Sequence, residues 1–153
     1  RYINDEEICQ AVAAMWSRAG LKPTLSLGPR SQQTPKRVKG DFDVISFGWA
    51  NEPMIDAYSI LIQVVRSKSG SGGVFNWGNW GRPEIDALID KAGVELDRAK
   101  RLPLMSEALM IVKNEHLFIP MHNQPMAWAL RSTITNTVQA SDNKPRLWLT
   151  QMK

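Results

Sequence analysis

The chain has 153 residues, 43% of them hydrophobic and 22% charged. That suits one globular domain with a sizeable core and excludes a disordered chain. A formal net charge of +4 is modest for this length and argues against nucleic acid as a partner. The apolar runs are far shorter than the roughly 20 residues a membrane-spanning helix needs. The single cysteine, Cys9, excludes an intrachain disulfide and a cysteine-rich metal site.

Taken in order, Arg1-Tyr2-Ile3 runs directly into a helix start with no basic-then-apolar leader, as expected of a sequence that begins within a longer protein. A helix is expected from Asn4 to Ala19. Asn4 and Glu7 have capping-box spacing, Ile8, Val12, Met15 and Ala19 form the buried stripe, and Gly20 stops the helix. Leu21 to Leu27 alternates apolar and polar and predicts a strand ended by Gly28-Pro29. Ser31 to Lys39 is polar and contains Pro35, which predicts a short irregular helix. Its basic cluster, Lys36, Arg37 and Lys39, reads as a solvated helix face.

Asp41 to Pro53 is the stretch on which the reading turns. Phe42-Asp43-Val44-Ile45-Ser46-Phe47 predicts a buried strand. Gly48 breaks it, and Trp49, Asn51 and Glu52 follow at its carboxyl end, where open α/β sheets collect ligands. A helix is expected from Pro53 to Val65. Ser67 to Gly73 is a flexible loop by composition, and its glycines lack the Gly-Lys-Ser/Thr and following helix of a phosphate-binding loop.

Asn76-Trp77-Gly78-Asn79-Trp80-Gly81 places two tryptophans and two asparagines in a glycine-broken loop. Such residues either face a ligand or pack the loop onto the core. Helices are expected from Pro83 to Leu96, with Glu84, Asp86 and Asp90 facing water, and from Asp97, as cap, towards Glu115. In the second, Leu102, Met105, Leu109 and Val112 form the stripe, widened by Leu104, Ala108 and Ile111, and Pro103 predicts a kink or a later start. Phe118 to Leu130 is an apolar extended segment with two prolines, and Leu147-Trp148-Leu149 is a last apolar anchor.

Catalytic machinery is poorly represented. No Gly-x-Ser-x-Gly elbow occurs, and the only histidines are His116 and His122. Two histidines and one distant cysteine do not make a zinc site, and no calcium-loop spacing appears. The expectation is no enzyme, no catalytic residues, no metal and no cofactor.

Four pieces in order carry a family resemblance. They are the helix from Asn4 followed by Ala19-Gly20-Leu21-Lys22-Pro23, then Gly40-Asp41-Phe42-Asp43 leading to Gly48-Trp49, then Asn76 to Ile89, and last the long helix to Glu115 with Ile119-Pro120-Met121-His122. From about Asn4 to Leu130 the chain resembles the C-terminal lobe of family-5 extracellular solute-binding proteins, the oligopeptide-, dipeptide- and nickel-binding components of ABC importers. The resemblance implies an α/β fold, with residues 1–153 forming a single lobe of a two-lobed clamp. In that lobe a mixed sheet is flanked by helices, and the first lobe lies outside this sequence. It also implies capture of a small solute, a peptide among the candidates, between the lobes. Delivery would be to a membrane permease, from a periplasmic or extracellular position, by a protein that does not itself span the membrane.

In the family's peptide-binding members, the loop after Gly-Trp carries an aspartate for the ligand's amino terminus. Trp49 matches the tryptophan, but Ala50-Asn51-Glu52-Pro53 has no aspartate at the matching place. Either Glu52 replaces it or the ligand lacks a free amine.

The first reading is therefore a binding lobe in which Trp49 and Trp80 wall in the solute, while Asn51, Glu52 and Asn79 supply polar contacts. The alternative is a protein–protein interaction domain using the same Trp-rich loop as a hot spot. A small hydrolase built on His122 ranks last, because no nucleophile is placed beside it.

Overall fold

The structure, a computed structural model, describes residues 4–51, 56–70, 72–125, 127–136 and 146–153. The elements are α1 (Asp5–Arg18), α2 (Arg30–Lys39), α3 (Tyr58–Ile60) continued by a π-helical turn at Leu61–Val65, α4 (Pro83–Val94), α5 (Arg98–Asn114), β1 (Ile134–Asn136), a 3-10 turn at Leu147–Leu149, and β2 (Gln151–Met152). They belong to two compact units. One is Arg1–Trp49 with Ile62–Ala87, and the other is Ala50–Leu61 with Leu88–Lys153. Helices and a small antiparallel sheet together make the chain mixed α/β.

In the first unit, α1 ends as its glycine predicts. Gly20 sits at φ 91, its N–H donates to Ser17 O at 3.1 Å, and the Leu21 N–H donates to Trp16 O at 3.0 Å. This is the paired C-terminal bonding that a left-handed residue allows. The start differs from expectation. Asn4 is itself left-handed, at φ 58, and its side chain caps nothing. The half-buried face is Ile8, Cys9, Val12, Ala13 and Trp16 rather than one running through Met15, which is 49% exposed. Helix α2 forms across Pro35 and closes on Gly40 (φ 73) in the same way as α1.

The strands expected at Leu21–Leu27 and Phe42–Phe47 do not form among the described residues. Alternation specifies which face a segment buries, but a strand also needs a ladder partner. Here Leu21 and Val44 stand 58% and 63% exposed. Side chains of α2 hold the first segment instead, with Lys36 Nζ and Gln33 Nε2 donating to Ser26 Oγ at 2.8 and 3.5 Å.

The rest of this unit is built on the end of the π turn, where Val64 and Val65 are buried and Ile85 of α4 is fully so. A helix leaves its last carbonyls without intrahelical donors. The loop that follows returns to supply them, with Gly73 N–H on Ile62 O at 2.9 Å and Phe75 N–H on Gln63 O at 2.8 Å. Ser67 N–H donates to the Asp86 carboxylate at 2.9 Å, so Asp86 anchors the loop rather than simply facing water. The serine- and glycine-rich stretch is thus a folded cap and not a loose linker. Its Ser69 and Gly72 form an antiparallel bridge, and the Arg66 guanidinium donates to Ser69 Oγ.

In the second unit the core is Leu61, Leu88, Ile89 and Ala92 with Met105, Ala108 and Val112 of α5. Asp97 caps α5 as its position predicts, accepting from Ala99 N–H at 2.9 Å, a contact worth about 1 kcal/mol. The helix runs through Pro103 from Arg98 without a later start. Pro103 there supplies no N–H to the Ala99 carbonyl. The buried face also differs from the expected stripe, since Leu102 and Leu109 are 44% and 37% exposed.

Arg101, on the same side of α5 as Met105 and Ala108, ties in the start of α3. Its Nη2 lies 3.2 Å from Asp56 Oδ2 and its guanidinium 4.9 Å over the Tyr58 ring. Asp56 Oδ1 accepts from Tyr58 N–H at 2.9 Å. Any side chain at Gly93 would collide with the Tyr58 hydroxyl. The expected start of this helix at Pro53 lies outside the described residues.

Beyond α5, residues 117–125 and 127–130 form neither helix nor strand and are mostly open to solvent, with Ile119 70% exposed. Strands β1 and β2 pair antiparallel with an irregular register, Ile134 with Met152 and Asn136 with Gln151. The expected apolar anchor is not buried, since Leu147 and Trp148 are 70% and 75% exposed and Arg146 stacks over Trp148. Among the described residues no helix is long and apolar enough to cross a membrane.

Candidate functional site

The residues around Gly48-Trp49 and those of the Asn76–Gly81 loop meet in the first unit, through aromatic rings and not through a strand. Trp49 lies edge-on to Phe75 at 5.4 Å. Phe75 lies edge-on to Trp77 at 5.7 Å, and Trp77 in turn to Phe47 at 5.7 Å. The Arg37 guanidinium from α2 covers the Trp77 ring at 5.2 Å. Each edge-to-face pair contributes about 0.5–1.5 kcal/mol beyond its burial. Four rings in a row therefore replace the missing ladder as the tie between the two segments.

Trp77 packs against two rings and a cation. Like Trp49 and Trp80 it is half-buried, and Asn79 is exposed. Asn79 holds a left-handed backbone at φ 50, a conformation that asparagine tolerates better than most residues. Gly78 lets the turn close, because a Cβ there would lie 2.9 Å from Trp80 Cδ1. Underneath, Asn76 is 1% exposed and donates from Nδ2 to the carbonyls of Trp80 at 2.7 Å and Arg66 at 3.1 Å.

Of the five residues expected to bind, Trp49, Asn79 and Trp80 fall in this unit, with Trp49 seated on the loop that carries the other two. Asn51 is exposed and belongs to the second unit. Glu52 lies outside the described residues. Sequence reasoning did not single out Phe47, Phe75 or Arg37, which hold the site together. It assigned Trp80 and Asn79 to the ligand and left out Trp77 and Asn76; in the structure Asn79 is exposed and Asn76 buried.

Among the described residues no group of three His, Cys, Asp or Glu side chains could hold a metal ion. His122, the base of the hydrolase reading, lies exposed with its Nε2 3.4 Å from Gln124 Oε1. The arrangement is one of flat apolar faces with amide groups beside them.

No protein family's sequence pattern matches the chain, and no solved structure matches it. Curated sequences do. Over 97 residues, 63% of the chain, it is 33% identical to the oligopeptide-binding protein OppA of Mycobacterium bovis. The same identity over the same length holds for OppA of two Mycobacterium tuberculosis strains. The chain is related to part of OppA. The matched stretch spans 15% of the length of each of these relatives.

Proposed function

We propose that this chain is part of the substrate-binding component of an ABC importer. It forms a single α/β lobe of a two-lobed clamp that captures a peptide or other small solute between its lobes. The clamp hands the solute to a membrane permease from the periplasmic or extracellular side. The observation that carries this reading is the 33% identity to proteins named for binding oligopeptides. The ring-tied pair of loops is in keeping with it. Trp49 and Trp80 are half-buried, so each has surface for a ligand, with the exposed Asn79 beside Trp80. Asn51 and Glu52, next along the chain from Trp49, supply further polar contacts. Rigid aromatic walls with a few amide or carboxylate groups are the common form of a small-molecule site.

The test is native mass spectrometry of the intact protein offered an equimolar pool of unmodified tripeptides. A stoichiometric small mass on the parent is expected. The Trp49→Ala, Glu52→Ala double variant should bind the recovered solute about 30-fold or more weaker, the loss typical of an aromatic hot spot of roughly 2 kcal/mol. Equal binding by parent and variant would remove Trp49 and Glu52 from the site. A retained protein in place of a small mass would favour the protein-docking reading.

A further inference from the structure

We propose that Asn76 is the positioning residue of this site: its buried carboxamide fixes the backbone at Trp80 and so sets how Asn79 and Trp80 meet a solute. The inference rests on the solute-binding reading and names the part that holds its loop in shape.

Both Nδ2 hydrogens are committed, one to Trp80 O at 2.7 Å and one to Arg66 O at 3.1 Å. The backbone of the same residue donates to Gly73 O at 3.0 Å and accepts from Asn79 N–H at 3.2 Å. One residue thereby ties the end of the π-turn segment, the glycine turn, the left-handed Asn79 and the carbonyl of Trp80. Its Oδ1, by contrast, is buried without a partner. A buried acceptor left unfilled costs about 1–3 kcal/mol. Turning the amide over would face an oxygen with two carbonyl oxygens and leave the NH2 group without a partner instead, which is worse. The side chain is therefore held for its NH2 group. An apolar side chain of the same size would remove both of these bonds.

A purely structural asparagine predicts lost stability and unchanged affinity once folded. A positioning asparagine predicts that affinity falls as well. The comparison uses the intact protein with Asn76→Ala, and with Val112→Ala as a control. Val112 is 6% exposed on α5 in the second unit, so its truncation destabilises without touching the loop. Both are offered the same tripeptide pool in the cold, where far-UV circular dichroism shows them folded, and the peptide retained per folded molecule is measured.

Asn76→Ala should retain on the order of tenfold less than the parent, as a site whose supporting groups are loosened does. Val112→Ala should retain as much as the parent. Equal retention by Asn76→Ala overturns the proposal. Where Asn76→Ala does not fold, the Asn76 side-chain NH2 resonances of the parent decide. They should shift when the protein is saturated with the pool, and unchanged resonances at saturation overturn the proposal equally. A parent that retains no peptide at all defeats the solute-binding reading itself, and this inference with it.

Discussion

Gly73→Ala should destabilise the protein by roughly 2–5 kcal/mol, combining an overpacking penalty of about 1–3 kcal/mol with a left-handed backbone penalty of about 1–2 kcal/mol. Gly73 is buried at φ 70. A Cβ there would lie 2.6 Å from Arg66 O and 2.7 Å from Ser67 O, and neither atom is the free end of a side chain. The only relief is to move the loop, and moving it strains the Gly73 N–H bond to Ile62 O. Gly70→Ala is the matched control. Gly70 is exposed with nothing within 4 Å of the added carbon, so its change should stay within about 0.5 kcal/mol. Urea midpoints of the two variants test the argument. Coincident midpoints would mean that the glycine turn does not cap the helix as described.

A second pair of variants tests the face of α5. Met105 is 3% exposed, and its truncation to alanine should cost about 2–5 kcal/mol, the range for a buried methionine or leucine. Leu109, one turn on, is 37% exposed, and Leu109→Ala should cost about 1 kcal/mol or less. Thermal unfolding distinguishes them clearly. Equal losses would restore the stripe through Leu102 and Leu109 that apolar spacing alone suggests.

That helix shows what a sequence can and cannot fix. Its existence, its Asp97 cap and its length followed from local chemistry, as did the glycine stop at Gly20. Its buried face followed only in part, since Met105, Ala108 and Val112 are covered as expected but Leu102 and Leu109 are not. Leucines at positions 102, 104 and 109 leave more than one apolar stripe open, and only the neighbours decide which is covered. The same limit explains the two absent strands. Phe42–Phe47 has the composition of a strand, but pairing is a property of two segments, and here Phe47 meets Trp77 on a distant loop. In the candidate site, the gathering of unusual residues at Trp49 and in the Asn76–Gly81 loop was legible from the sequence. That aromatic rings bring the two segments together was not. That depends on Arg37 and Phe75, whose contribution comes only from folding.

The serine- and glycine-rich stretch invites use as a site for inserting a tag or a second domain, since its composition is that of a linker. Its two ends are not equivalent to its tip. Ser67 is fastened to Asp86, and Gly73 to the end of the π turn. Extra residues at either fastening would pull apart a helix cap. Gly70, exposed at the tip, carries no such duty. Because lengthening a loop whose ends stay pinned adds only about 0.6 kcal/mol of closure entropy per doubling, an insertion belongs there. The turn can then grow outward while the spacing that sets Asn76 beneath Trp80 is kept.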